Sequence, residues 1–173
     1  MKGVIALALK EMVKENYGED AWKRALAAAG LQKEPLILPI SDVDDATVLK
    51  IVEGVCKELG ISLPQAADAF GAYWVDVYAP RHYPSYFRKA KNAREFLQMV
   101  DAIHTDVTEN MHNARPPHFR YTWKDSDTLE MQYLSHRGLL DFVVGLAKAV
   151  GNHYGEKLTV SKSGPDRISI RFH

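Results

Sequence analysis

Residues 118–137 read HFRYTWKDSDTLEMQYLSHR. Phe119, Tyr121 and Trp123 alternate with polar residues, and beyond a polar break Leu129, Met131 and Tyr133 do the same. A period of two belongs to strands, whose successive side chains point to opposite faces of a sheet. Lys124-Asp125-Ser126-Asp127 lies between the two runs as a hairpin turn. Downstream, residues 137–151 carry Leu139, Leu140, Phe142, Val143, Val144, Leu146, Ala147 and Val150, which predicts a helix buried on most sides. Two more strands follow, around 156–162 and 166–172, joined at Ser163-Gly164-Pro165. Strand–strand–helix–strand–strand predicts an antiparallel, four-stranded sheet in an α+β protein.

Upstream of this stretch the period is helical. Val4, Ile5, Ala8, Leu9, Met12 and Val13 share one face of a helix over 2–17 that ends at Gly18. A second helix fits 20–29, and the segment from Leu31 to Asp42, with Pro35 and Pro39, reads as a loop. Residues 44–59 present Val48, Ile51, Val52 and Val55 on a third helix that stops at Gly60. Ser62 caps a fourth, with Pro64 in its first turn and a stripe of Ala67, Phe70, Trp74, Val77 and Tyr78. Gly71 in its middle costs about 1 kcal/mol relative to alanine, so either a neighbour packs very close there or the helix bends. A turn-rich region runs from Ala79-Pro80 through Tyr83-Pro84-Ser85. The next helix spans 91–112, and Arg115-Pro116-Pro117 breaks it. The expected organisation is one domain made of a helical N-terminal subdomain, 1–62, and a C-terminal subdomain, 63–173.

The chain has 173 residues, with 22 lysines and arginines against 22 aspartates and glutamates. A net charge of zero argues against a general binder of nucleic acid or other polyanions. With 46% apolar and 25% charged residues the composition is that of a globular protein and excludes intrinsic disorder. The single cysteine, Cys56, excludes an intrachain disulfide and a thiolate metal cage. No apolar stretch reaches the roughly 20 residues that a membrane span needs. The run from Val4 to Leu9 is too short for a signal-peptide core. A cytoplasmic location is expected.

Seven histidines are the obvious candidates for chemistry. His82, His112, His118, His136, His153 and His173 lie in turns, at element ends or beside charges, and read as exposed or structural. His104 falls inside the apolar stripe Phe96, Leu97, Val100, Ile103, Val107 and Met111. A histidine there needs a partner for its ring nitrogens. That partner is either a backbone carbonyl or a metal, since a neutral imidazole in an apolar pocket is what a haem iron takes. No second ligand lies at i+3 or i+4, which argues against zinc on this helix. Tyr133, Ser135 and Arg137 form a second constellation. If the strand persists to its end they project to one side, two hydroxyls and a guanidinium suited to carboxylates. Otherwise they are a solvated strand end. Asp42-x-Asp44-Asp45 is a third, either a metal-binding cluster of a hydrolase or charge complementing a helix N-terminus.

Taken together, these residues resemble the H-NOX family, the haem nitric oxide/oxygen binding domains related to the haem sensor of animal soluble guanylate cyclase. The likeness covers essentially the whole chain. It rests on Met1-Lys2-Gly3, Tyr17-Gly18, the run from Phe70 to Val75, the run from Tyr83 to Phe87, His104, Pro116-Pro117-His118-Phe119 and Tyr133-x-Ser135-x-Arg137. The resemblance implies haem b, iron protoporphyrin IX, held between the two subdomains. His104 corresponds to the axial iron ligand, and Tyr133, Ser135 and Arg137 to the clamp on the haem propionates. Pro117 matches the proline that bends the porphyrin, and Gly71 the hinge between the subdomains.

The position at which oxygen-holding members carry a tyrosine is Phe142 here, and Ile5, Leu9 and Leu146 beside it are apolar too. Bound dioxygen gains from a hydrogen-bond donor, whereas nitric oxide needs none. The implied ligand is therefore nitric oxide, with carbon monoxide as a second gas. Trp74, Tyr73 and Tyr78 are the polar-tipped side chains that would reach the same pocket, or else form helix core. The implied role is a sensor rather than an enzyme, signalling to a separate histidine kinase or cyclic-di-GMP enzyme. The alternatives are an oxygen or redox haem sensor of the same fold and a haem-free interaction module.

Overall fold

In the computed structural model, which describes residues 1–173, the two alternating runs form β1 (His118–Trp123) and β2 (Thr128–Leu134). They pair antiparallel, with Phe119 opposite Tyr133, Tyr121 opposite Met131 and Trp123 opposite Leu129. β3 (Leu158–Lys162) and β4 (Arg167–Phe172) complete an antiparallel sheet in the order β1-β2-β4-β3. The predicted alternation sets the buried face. Leu129, Met131, Tyr133, Ile168, Ile170 and Phe172 point into the core, and their sequence neighbours do not. The fold is α+β, as the periodicity predicts.

The chain forms two compact units, one of residues 1–66 with 111–115, the other of 67–110 with 116–173. In the first, α1 (Gly3–Tyr17), α2 (Glu19–Ala28) and α3 (Asp45–Leu59) bury Leu9, Met12, Val13, Trp22, Leu26, Ile51 and Val55. α2 packs against both of its neighbours. The three aspartates at the start of α3 are each committed within this unit. Asp42 pairs with Lys2 at 2.7 Å, Asp44 accepts from the Thr47 amide at 3.1 Å, and Asp45 holds the Met1 ammonium at 2.7 Å. They serve as a cap and as ion pairs, the reading that competed with a metal cluster.

α4 (Leu63–Tyr73) opens on a reciprocal cap. The Gln65 side chain accepts from the Ser62 amide at 2.9 Å, and the Ser62 hydroxyl accepts from the Gln65 amide at 3.4 Å. The fourth helix was expected to run on to residue 78 as one α-helix. Instead, Trp74–Tyr78 widens into a π-helical turn. The turn-rich region beyond it is also helical: α5 (Ala79–His82) and α6 (Pro84–Lys89). Each has proline in its first turn, where no amide hydrogen is required, so Pro80 and Pro84 start helices instead of ending one.

α7 (Ala93–Thr108) stops four residues short of the expected end, and Met111 therefore leaves the predicted stripe. α8 (Leu140–His153) starts later than expected because Gly138, at φ +67°, lies outside the helical region. The core of the second unit lies between the sheet and helices α7 and α8, around Phe96, Leu97, Phe119, Leu140, Val143 and Val150.

Gly71 is explained by contact. A Cβ there would lie 2.5 Å from the carbonyl carbon and oxygen of Gly145 on α8, and one on Gly145 would lie 2.3 Å from the Ala67 carbonyl oxygen. Backbone meets backbone, and neither side can yield. Gly71→Ala should therefore destabilise the protein by about 1–3 kcal/mol despite alanine's better helix propensity. Urea denaturation checks this, and unchanged or raised stability would contradict the close crossing.

Candidate functional site

α7 is wholly covered at its start, where Ala93, Phe96 and Leu97 are buried, and half-covered farther on at Val100, Ile103, His104 and Val107. His104 is the polar member of that half-covered apolar face. Its Nδ1 lies 3.2 Å from the carbonyl oxygen of Pro117. A carbonyl can only accept, so Nδ1 carries the proton and donates it. Nε2 then keeps its lone pair. Burial holds the ring below the ordinary imidazole range, with the Pro117 carbonyl and the Asp101 carboxylate opposing only in part. The result is a neutral imidazole with one nitrogen anchored and the other chemically a donor of electrons, the state in which histidine binds metals.

Asp101, one turn before His104, holds the other end of this bond. Its carboxylate accepts from the Phe119 amide at 2.8 Å and lies 3.1 Å from His118 Nδ1. The Asp101 amide donates in turn to the Tyr121 hydroxyl at 3.2 Å. Burial, chiefly, pushes the Tyr121 phenol up to about 12, so this hydroxyl stays protonated across the physiological range. Asp101 thus fixes the start of β1 on α7 and sets where the Pro117 carbonyl sits. Sequence reasoning passed over it. An acidic residue on a helix reads as solvent-facing, and the available signal was its i,i+3 spacing to His104.

Phe119 links the histidine to the carboxylate-binding candidates. Its ring lies 5.7 Å from that of His104 and 5.8 Å from that of Tyr133. Tyr133 is buried in β2, but the strand ends at Leu134, so Ser135 and Arg137 are not strand residues. A turn takes over, in which the Arg137 amide donates to Ser135 Oγ at 3.4 Å. The alternation of burial nevertheless continues. Tyr133 is buried and Ser135 and Arg137 half-buried, while Leu134, His136 and Gly138 are exposed. Two hydroxyls and a guanidinium are the donor chemistry that suits a pair of carboxylates.

The remaining candidates of this unit form an aromatic stack. Phe142 on α8 meets Phe70 edge-on at 5.5 Å, Phe70 stacks on Trp74 at 5.8 Å, and Trp74 stacks on Tyr78 at 5.2 Å. Trp74, Phe142 and Leu146 are half-covered, and Tyr78 is buried. The π-helical turn brackets Trp74 and Tyr78, and such turns recur at functional sites. Ile5 and Leu9 belong to α1 of the other unit, Leu9 buried and Ile5 half-buried. Half-covered apolar side chains, a neutral anchored imidazole and carboxylate-seeking donors together fit a flat apolar metal complex that carries acid groups.

A family model for haem-NO-binding domains matches residues 2–162. Soluble guanylate cyclase gcy-32 of Caenorhabditis elegans is 25% identical over 178 residues, covering 100% of this chain and 26% of that protein. The worm's soluble guanylate cyclase gcy-34 is 27% identical over 156 residues. The chain spans about a quarter of the length of these curated relatives. Among solved structures, an oxygen-binding H-NOX domain related to soluble guanylate cyclases, in its oxygen complex, superposes with a TM-score of 0.82. That pair is 25% identical and covers 99% of this chain and 95% of the other. A variant of an Fe(II) unliganded H-NOX protein from K. algicida gives a TM-score of 0.85 with 20% identity, over 100% and 97% of the two chains. At that identity the likeness speaks for the fold alone.

Replacing Asp101 by alanine leaves the Phe119 amide without its acceptor. The expected loss is about 1–3 kcal/mol of stability, with faster hydrogen exchange at that amide. Asp101→Asn keeps an acceptor oxygen and should lose less. Unchanged protection of Phe119 in the alanine variant would remove Asp101 from this role.

Proposed function

We propose that this chain, which belongs to the Haem-NO-binding (H-NOX) family and is a haem-binding gas-sensor domain related to soluble guanylate cyclase, senses nitric oxide through a haem held by His104. The observation that carries the assignment is the hydrogen bond from His104 Nδ1 to the Pro117 carbonyl. It fixes the tautomer and orients Nε2 as the free ligand atom, which is how proteins prepare a metal-binding histidine. Tyr133, Ser135 and Arg137 would hold the propionates, and Pro117 would bear on the porphyrin. Bound there, haem would supply the iron that takes up a diatomic gas. Haem b is the form the family resemblance implies, and a chain with one cysteine has no pair for a c-type attachment through two thioether links.

The proposed selectivity rests on the residues that the family resemblance assigns to the gas side. Phe142, Leu146, Ile5 and Leu9 have no hydrogen-bond donor, so a ligand that acquires negative charge finds no partner among them. That favours nitric oxide, and carbon monoxide after it, over dioxygen. The second reading is an oxygen or redox sensor. A relative of the same fold is an oxygen complex, and the stacked Trp74 and Tyr78 carry an indole N–H and a phenol. The proposed output is a histidine kinase or a cyclic-di-GMP enzyme, with this domain acting as the sensor. No helix is long and apolar enough to cross a membrane, which accords with a cytoplasmic sensor.

The reduced, haem-loaded protein should form no long-lived oxy complex in air and should change its absorption spectrum on addition of nitric oxide. A long-lived oxy spectrum in air would transfer the assignment to the oxygen reading. His104→Gly should lose haem and recover it with added imidazole, and normal retention without imidazole would sink the ligand assignment. Arg137→Ala should weaken haem retention by about 1.5–3 kcal/mol, as for a charge-assisted contact. Unaltered haem-loss rates would count against the clamp.

A further inference from the structure

Between Val77 and Arg94 the chain carries Arg81, Arg88, Lys89, Lys91 and Arg94 and no acidic residue. In a protein of zero net charge, that concentration leaves an equal acidic excess to the rest of the sequence. Folding does not neutralise it. Arg88, Lys89 and Lys91 are exposed and form no ion pair. The nearby acids are committed elsewhere. Asp106 accepts from the Tyr86 hydroxyl at 2.5 Å, and Glu95 accepts from the Lys91 amide at 2.9 Å. Glu156 accepts from the Ala93 amide at 2.9 Å, and Asp76 lies 3.0 Å from His153 Nδ1. Each of these carboxylates serves a phenol, a backbone amide or an imidazole. Elsewhere lysines pair with acids, as Lys10 with Glu34, Lys148 with Asp68 and Lys162 with Asp141.

The basic face is also tied to the helix that bears His104. α6 has no buried residue; Tyr154 donates to its Phe87 carbonyl at 3.1 Å, and two of its own side chains hold it to α7. Phe87 packs on Phe96 of α7 at 4.8 Å, and Tyr86 donates to Asp106 of the same helix. That bond raises the Tyr86 phenol above its ordinary range, which keeps it the donor.

We infer that the outer face of α6 and its link to α7, with Arg88, Lys89 and Lys91, docks an acidic face of the partner protein. Tyr86–Asp106 connects that docking to α7. The connection to gas binding rests on the reading of His104 given above, whereas the docking itself does not. An anionic membrane is a poorer occupant, because a lipid-binding helix inserts an apolar face. The exposed large apolar residues, such as Leu36, Ile40 and Leu134, lie outside 77–94. Three cations without an acidic partner, of which Lys89 lies 5.3 Å over the Tyr86 ring, are also a small footprint for nucleic acid.

Labelled poly-L-glutamate serves as the probe, in fluorescence anisotropy with the full chain. R88E/K89E/K91E should weaken binding about tenfold or more. K33E/K50E/K57E, which makes the same charge change on the other unit, should stay within about twofold. R88Q/K89Q/K91Q gives the same ordering should charge reversal unfold the protein. Equal losses in the two reversed triples would overturn the proposal. So would tighter binding of phosphatidylserine vesicles or duplex DNA than of poly-L-glutamate. Tyr86→Phe keeps the charges and removes the bond to Asp106. It should bind the probe normally and lose any nitric-oxide-dependent change in affinity. If the gas reading fails, haem-free protein still binds poly-L-glutamate through the same three residues, so the two failures are told apart.

Discussion

The hydrogen bond between His104 and the Pro117 carbonyl is the constraint from which the arrangement of this site follows. An imidazole among apolar neighbours loses its hydration, and that loss is smallest for the neutral ring with both nitrogens engaged. One carbonyl satisfies one nitrogen and forces the proton onto it. The bond also joins two elements far apart in function, the last turns of α7 and the entry to β1. Asp101 repeats the join one turn earlier, through the Phe119 amide and His118. Helix and sheet edge are therefore held at two successive turns, so displacing His104 displaces the start of the strand with it. A ligand that alters the position of this imidazole acts on a helix and a sheet at once.

Legibility from sequence followed the strength of the periodic signal. The switch to a period of two at Phe119 was unambiguous because three residues on each side of the hairpin obeyed it, and the buried face followed it in β2, while in β1 only Phe119 is buried and Trp123 is exposed. Where one residue type serves two structures, the reading failed. Pro80 and Pro84 mark turns and helix starts alike, so α5 and α6 were read as turns. The π-helical turn at Trp74–Tyr78 changes hydrogen-bond register and not composition, so no side-chain pattern could announce it. The end of β2 at Leu134 was invisible because burial goes on alternating through Arg137 after the ladder has ceased. Gly71 admitted a hinge and a close contact, and only the position of Gly145 distinguishes what the glycine is needed for locally.

Net charge illustrates a different loss of information. A sum of zero argues against a general polyanion binder but is silent about distribution, and here the cations between Val77 and Arg94 are set apart from the acids that offset them. Magnitudes separate what such a face can do from what the bond beneath it can do. Exposed ion pairs contribute about 0.2–1 kcal/mol each and weaken with salt, enough to select and orient an acidic partner over several contacts. They cannot report on a buried ligand, since their strength is the same whatever α7 does. Coupling between two sites in proteins is typically about 1–3 kcal/mol. A hydrogen bond to a carboxylate is worth about 1.5–3 kcal/mol, and solvent exposure places Tyr86–Asp106 toward the lower end. One such bond, made in one position of α7 and broken in another, is of the size required. Affinity then resides in the lysines and the arginine, and any response to the gas in the tyrosine behind them.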